Sequence, residues 1–388
     1  MVIPGWHSAG ARRLRPGAAG GSRVLTTAAE LAEFAPEWAR LPDLANPFSG
    51  PAFATAWLAG HPEATPRVVP LRDGGRLAAV APWCIVAEGG KRVLTGMGGN
   101  AAWYHDPSRD PRACPLDLVE RVVAAVKAIP GWDVARFCLV GPDAAALRAE
   151  LGKVGWVVET REAWRDSSLV EMPPGGWQAY WESRSKSFRR KHRVARSRVE
   201  SGGCRWFEAQ DLQDCMRWFD RVLAWHGERL RGVRDWSDVH REWRASVAEA
   251  RERGELHLFC LEVGGEPAAG EVVIRRGRRA FALLHAFDPA HADLSPGFYL
   301  TNRNLERLCE IGCDSVDLGP GDFLWKDRLR TRALQVDQIV IGRHGSLRGL
   351  AEAGFEGVIK PCMSRLRATA MRRARRAPPE EPIAGADS

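Results

Sequence analysis

Between His285 and Lys326 the chain reads HAFDPAHADLSPGFYLTNRNLERLCEIGCDSVDLGPGDFLWK, and residue types able to do chemistry concentrate there. A strand pattern, a Ser295-Pro296-Gly297 turn, a helix pattern and a second strand follow in order, which puts a helix N-terminus beside an open strand end. Its first N–H groups have no intrahelical partner and the helix dipole adds partial positive charge, so the place suits a pyrophosphate or another anion. Gly297 lets the backbone approach a ligand with no Cβ in the way, while Pro296 gives up one donor and fixes its own φ. In DLGPGDFLWK the strand ends at Gly319-Pro320-Gly321, so Asp322, Trp325 and Lys326 stand at its carboxyl edge, where ligands of open α/β sheets bind. Lys326 there can anchor an anionic group or steady an oxyanion; it can equally pair with Asp322 to hold the loop. His285 is a candidate proton acceptor, in phase with Leu283 and Phe287 and so equally a core histidine. Glu271, on the preceding strand, faces the same cleft or stands as an exposed hairpin charge.

These residues need a scaffold, and the hydrophobic patterns supply one twice. Residues 1–22 have no apolar period and read as a loose leader. From residue 23 the order is helix, helix, a three-strand meander turned at Asp-Gly-Gly and Glu-Gly-Gly, helix, strand, helix, strand. Pro173-Pro174-Gly175-Gly176 marks a boundary, giving units 23–172 and 173–345. In the second, one long basic helix is expected from Trp177 to about Ser201, followed by a strand, two helices and three more strands. Residues 346–388 read as one or two helices and a disordered tail. The fold class is α/β with two tandem units, each a mixed, mostly antiparallel sheet flanked by helices.

In the basic helix eight Arg and Lys side chains crowd into residues 184–198, and Lys186, Arg189, Arg190 and Arg193 share one face. Like charges three and four apart destabilise a helix by a few tenths of a kcal/mol per pair, roughly, so the stripe suits phosphate partners; the alternative is a solvated face. Net charge +8 over 388 residues fits either reading. The nine cysteines are scattered and mostly embedded in apolar segments, as expected of reduced thiols in a cytoplasmic protein, and Cys309 and Cys313 have no second close pair to complete a zinc set. No apolar run is long enough to span a membrane.

Four pieces stand in one order: SRSKSFRRKHRVARSRVESGG, GELHLFCLEVGGEPAAGEVVI, LSPGFYL and DLGPGDFLWK. Together they resemble the GNAT superfamily, in its tandem-domain branch of CelD-like acetyltransferases and Fem-type aminoacyltransferases. The resemblance implies an N-acyltransferase that passes an acyl group, most simply acetyl from acetyl-CoA, to a primary amine of a small molecule or cell-envelope precursor by direct attack, with no metal. It implies that Ser295, Pro296, Gly297, Phe298, Tyr299 and Leu300 hold the donor pyrophosphate and that Lys326, Asp322 and His285 serve catalysis. Lys186, Arg189, Arg190, Trp103, Tyr104 and Trp325 would contact substrate. Simple GNAT enzymes carry an Arg or Gln followed by two glycines in the donor loop; here Gly297 is single, which leaves aminoacyl-tRNA open as an alternative donor. A non-catalytic RNA- or protein-binding module is the third reading.

Overall fold

The computed structural model describes residues 23–360 apart from 43, 45, 100, 114, 141–143, 162–165, 232–236 and 322. The expected leader, residues 361–388 of the expected tail and Asp322 lie outside the described residues. Thr27 opens α1 (Ala28–Trp38) through a reciprocal capping box with Glu30. Next come α2 (Pro51–Gly60), β1 (Thr65–Asp73), β2 (Arg76–Glu88), β3 (Lys91–Gly96) and β4 (Ser108–Arg109). Gly74-Gly75 and Gly89-Gly90 all take positive φ and make the two hairpin turns of this meander as their sequence predicts. The first half continues with α3 (Pro115–Ala128), β5 (Val134–Cys138), α4 (Ala144–Leu151), β6 (Gly155–Arg161) and β7 (Ser167–Glu171).

The second half starts with α5 (Gly176–Ser183), α6 (Lys186–Ser201), β8 (Cys204–Glu208), α7 (Leu212–Arg229) and α8 (Ser237–Glu252). It goes on through β9 (Leu256–Val263), β10 (Glu266–Arg276), β11 (Arg279–Phe287), α9 (Pro296–Glu310), β12 (Ser315–Pro320) and α10 (Leu324–Leu329), then β13 (Arg332–Leu334), β14 (Asp337–Arg343) and α11 (Leu347–Gly354). The single basic helix expected from Trp177 to Ser201 is two helices. Arg184 and Ser185 are extended, and the Ser185 hydroxyl accepts the Phe188 N–H, which starts α6 afresh.

Two seven-stranded sheets result, ordered β1-β2-β3-β5-β14-β6 with β4 on β2, and β13-β7-β12-β11-β10-β9-β8. Both are mixed, since β3/β5 and β11/β12 run parallel while the other described pairs are antiparallel. Helices cover both faces: α1 and α2 on one side of the first sheet with α3 and α4 on the other, then α7 and α8 against α5, α6 and α9 about the second. This is the tandem α/β arrangement that the repeated element order predicts.

Sheet membership crosses the boundary drawn at Pro173. β7, before it, lies between β12 and β13 of the second sheet, and β14, far beyond it, lies between β5 and β6 of the first. Ser167–Val170 and Ile339–Ile341 are buried, so both strands suit interior positions, and apolar pattern alone does not say in which sheet. The halves are also joined by packing. Phe48, Phe53 and Ala101 enter the core beneath α7 and α8, Ser246 Oγ donates to Pro47 O (2.8 Å), and Trp243 Nε1 donates to Ala101 O (3.4 Å).

Candidate active site

β11 and β12 pair only through Arg279–Phe281 and Ser315–Asp317. Beyond those residues β11 continues to Phe287 and β12 to Pro320, so the strands part toward their carboxyl ends and leave an opening lined from both. After β11, Asp288 caps a 3₁₀ turn (Pro289–Leu294) by accepting the Ala290 N–H at 2.9 Å, and the chain enters α9 at Ser295. Ser295 has φ 56°, the one non-glycine in the left-handed region among the described residues. That conformation costs an ordinary L-residue about 1–2 kcal/mol, so its surroundings must hold it. No side chain caps α9, which leaves the Gly297 and Phe298 amides at its mouth without a side-chain acceptor. A Cβ on Gly297 would fall 2.7 Å from His285 Nε2 and 3.1 Å from Phe287 Cδ1, so the site needs glycine there. Pro296, Gly297, Tyr299 and Leu300 are buried; of the six-residue turn Ser295 is exposed and Phe298 half-buried against Phe188 and His192 of α6.

His285 lies opposite Glu271 of β10. A β-bulge at Leu283 resets the alternation, so Leu283 packs toward α7 while His285 turns with Phe287 toward α9; the in-phase expectation holds for Phe287 and fails for Leu283. Glu271 is buried, not an exposed hairpin charge. Its carboxylate accepts from Asn304 Nδ2 (2.6 Å) and Thr301 Oγ1 (3.5 Å). His285 Nδ1 stands 3.3 Å from Thr301 Oγ1 and 3.6 Å from Glu271 Oε1. Nε2 has no hydrogen-bond partner among the described residues, and the ring lies 5.4 Å from Trp325, across the opening. A carboxylate behind one ring nitrogen, and no hydrogen-bond partner among the described residues at the other, is an arrangement open to a base and its orienting group.

Lys326 is buried in α10, and its Nζ donates to Gly319 O (3.0 Å) and Pro320 O (2.7 Å). An ammonium has three donors, so one remains for a ligand. Burial lowers its pKa to about 8, with the Arg229 charge adding to the effect and Asp317 opposing it. The expected partner Asp322 lies outside the described residues, so the loop contacts seen for Lys326 are the two carbonyls.

Behind Lys326, Asp317 is fully buried and accepts from Tyr104 Oη (2.8 Å), Arg279 Nη2 (2.7 Å), the Gly319 N–H (3.0 Å) and Ser167 Oγ. Tyr104 is therefore a buried tie between the halves, not a wall of an acceptor cleft: its hydroxyl is engaged, and burial raises its pKa far above the ordinary value. Trp103, half-buried, stands on Gly319, where a Cβ would fall 2.6 Å from its ring.

On α6, Lys186 and Arg190 are exposed and Arg189 half-buried; among the described residues no carboxylate pairs with these three, nor with Lys191 or Arg193. By contrast Arg184 donates to Leu329 O and Arg330 O, Arg196 to Glu200, and Arg198 to Asp293 O. Phe188 and His192 pack on Phe298 with ring centroids 5.3 Å and 6.1 Å apart, so α6 runs beside the mouth of α9. The structure thus gathers His285, Ser295–Phe298, Trp325 and Lys326 about one opening, keeps the α6 cations at its flank, and sets Tyr104 apart.

Residue types alone did not single out Thr301, Asn304, Asp317, Arg279 or His226. Thr301 and Asn304 were findable as polar residues at helical spacing on a stripe otherwise made of Leu300, Leu305 and Leu308. His226, on α7, is held neutral: burial foremost, then the charges of Arg229, His240 and His285, lower its pKa to about 3. Among the described residues no cluster of His, Cys, Asp and Glu is arranged to hold a metal, and no helix is long and apolar enough to cross a membrane.

Two mixed sheets in tandem, with a parallel pair that parts beside a helix mouth, frame the candidate site. Residues 184–327 match the family model for the acetyltransferase (GNAT) domain, a span that includes α6, the opening and Lys326. No curated protein sequence matches the chain. Among solved structures it is similar to the C-terminal domain of a putative lysylphosphatidylglycerol synthetase from Agrobacterium fabrum, at 14% identity and TM-score 0.53, over 86% of this chain and 98% of that one. It is similar to FemX at 11% identity and TM-score 0.53, over 81% and 94% of the two chains. A conserved protein of unknown function from Bacteroides thetaiotaomicron shares 10% identity and TM-score 0.52, over 83% and 100%. At these identities the likeness is one of fold.

Proposed function

We propose that the chain transfers an acyl group, most simply acetyl, from acyl-CoA to a primary amine of a small molecule or cell-envelope precursor. The supporting observation is the uncapped mouth of α9, with no Cβ at Gly297, set against His285 Nε2 on one side of the opening and Trp325-Lys326 on the other. In this reading the Gly297 and Phe298 amides and the α6 cations hold the donor's phosphates. His285 Nε2 takes a proton from the ammonium, and the freed nitrogen attacks the thioester carbonyl carbon. The C–N bond forms, the C–S bond breaks, and the thiol leaves with the nitrogen's second proton. The remaining N–H of Lys326 steadies the oxyanion or an anionic substrate group.

Five cations on α6 without carboxylate partners among the described residues favour a second reading, in which the donor is aminoacyl-tRNA. The two separate by heat stability, because a ligand of the native state must raise it. Acetyl-CoA should raise the midpoint of the purified protein and charged tRNA should not. A rise with charged tRNA alone would move the donor, and no response to either would overturn both.

A further inference from the structure

Trp103 and Tyr104, neighbours in the first half of the chain, both bear on the end of β12 in the second. Trp103 lies against Gly319 and is backed by Phe48, with 5.2 Å between ring centroids. Tyr104 donates its hydroxyl to Asp317 at 2.8 Å. Between Asp317 and Pro320 the pairing of β12 with β7 shifts register, and Leu318 and Gly319 are paired with neither neighbouring strand among the described residues. Gly319 takes φ 78° there, and its N–H donates to the Asp317 carboxylate at 3.0 Å, as in turns that an aspartate side chain organises two residues ahead. The carbonyls of this turn are the ones that hold Lys326 Nζ, Gly319 O at 3.0 Å and Pro320 O at 2.7 Å. The position of the ammonium is thus set by the turn, and the turn hangs on Asp317.

Asp317 is itself fixed. It is fully buried, and an ionised carboxylate offers about four acceptor sites, here met by four donors. Oδ1 takes the Ser167 hydroxyl and the Gly319 N–H; Oδ2 takes the Tyr104 hydroxyl and Arg279 Nη2 at 2.7 Å. Rotation of the carboxylate would leave buried donors and a buried charge unmatched, so the network holds its geometry tightly. Tyr104 is the one of these four donors that comes from the meander half of the chain, before β5.

We infer that Asp317 and Tyr104 are positioning residues for Lys326: the carboxylate shapes the Gly319-Pro320 turn that sets the ammonium at the opening, and the first half of the chain braces that carboxylate through Tyr104. The inference rests on the role given to Lys326 above and adds what the first half contributes to it. Its test reads Lys326 directly, in the full chain and without substrate, by labelling lysines with acetic anhydride over a range of pH and following the peptides by mass spectrometry. In the wild type Lys326 should titrate near 8, because burial and the Arg229 charge lower its pKa and Asp317 opposes them. Tyr104→Phe keeps the ring and removes the hydroxyl. The turn then loosens and the carbonyls hold the ammonium less well, which favours the neutral, reactive amine. Lys326 should titrate at lower pH and label about threefold faster at pH 7, while the exposed Lys186 labels as in the wild type. Asp317→Asn, which removes the carboxylate charge as well, should move Lys326 further in the same direction; where it fails to fold, Tyr104→Phe decides. Wild-type labelling of Lys326 in Tyr104→Phe overturns the inference. So does a Tyr104→Phe protein that melts earlier while Lys326 titrates unchanged, since the tie would then serve stability alone. This outcome is separate from the response to acetyl-CoA and charged tRNA on which the proposed function stands, so either can fail without the other.

Discussion

The two sheets contain the same feature and treat it differently. In each, a parallel pair is joined for three residues and then parts: β3 from β5 after Thr95 and Arg136, β11 from β12 after Phe281 and Asp317. In the first sheet the chain plugs its own gap. The His105 N–H donates to Cys138 O at 2.7 Å, the Cys138 N–H returns to His105 Nδ1 at 3.2 Å, and Asp106 accepts the Val140 N–H at 3.1 Å. Gly96 has no Cβ because His105 Cγ would lie 2.4 Å from it. In the second sheet the corresponding gap holds no such plug among the described residues; it is bordered by the mouth of α9, His285 and Trp325-Lys326. A repeated scaffold therefore carries one gap filled by its own chain and one that the proposed function assigns to chemistry.

The comparison is most sharply broken by adding one small side chain to each opening. Gly297→Val should lower kcat/KM about 100-fold or more while the protein remains folded, because the new atoms collide with His285 and close the α9 mouth. Gly96→Ala, the equivalent insult to the plugged gap, should cost about 2 kcal/mol of stability and leave the activity of the folded fraction intact. Exchange of these two phenotypes in denaturation and kinetics would reverse the assignment of the openings.

Lys326→Met should lower kcat/KM by about tenfold or more. In the wild type kcat/KM should also fall as pH rises through about 8, where Lys326 loses its proton, and the variant should lack that limb. A smaller effect, about tenfold in kcat with KM little changed, is expected of Glu271→Gln, which keeps the packing but removes the charge behind His285. An unchanged melting temperature would separate this from a merely structural loss. The smallest effect concerns stability. Burial lowers the pKa of His192 to about 4 and of His226 to about 3, both below the ordinary 6.5, so the unfolded chain takes up protons first as pH falls. Denaturant midpoints should therefore drop between pH 7 and pH 5, before most carboxylates titrate, and His192→Leu should flatten part of that slope.

What could be read from the sequence was what local chemistry dictates. The Gly-Gly hairpins, the Thr27–Glu30 capping box and the Ser295-Pro296-Gly297 entry to α9 are each written in a few adjacent residues. The break at Ser185 was written there too, as a helix-capping residue inside a charge run that reads continuously helical. What stayed hidden depends on partners distant in the chain. The exchange of β7 and β14 follows from which sheet interior each strand fills, and the bulge at Leu283, which turns His285 toward α9, arises from pairing with β10. Tyr104 looked like a cleft residue because its neighbours are polar and aromatic. Its role is set by Asp317, 213 residues away.

The most direct test of this account is the number of acyl-CoA molecules bound per chain, measured by titration calorimetry on wild type, Gly297→Val and Gly96→Ala. One donor per chain is expected, abolished by Gly297→Val and retained by Gly96→Ala. Two donors per chain, or a donor that still binds when Gly297 is replaced, would contradict it.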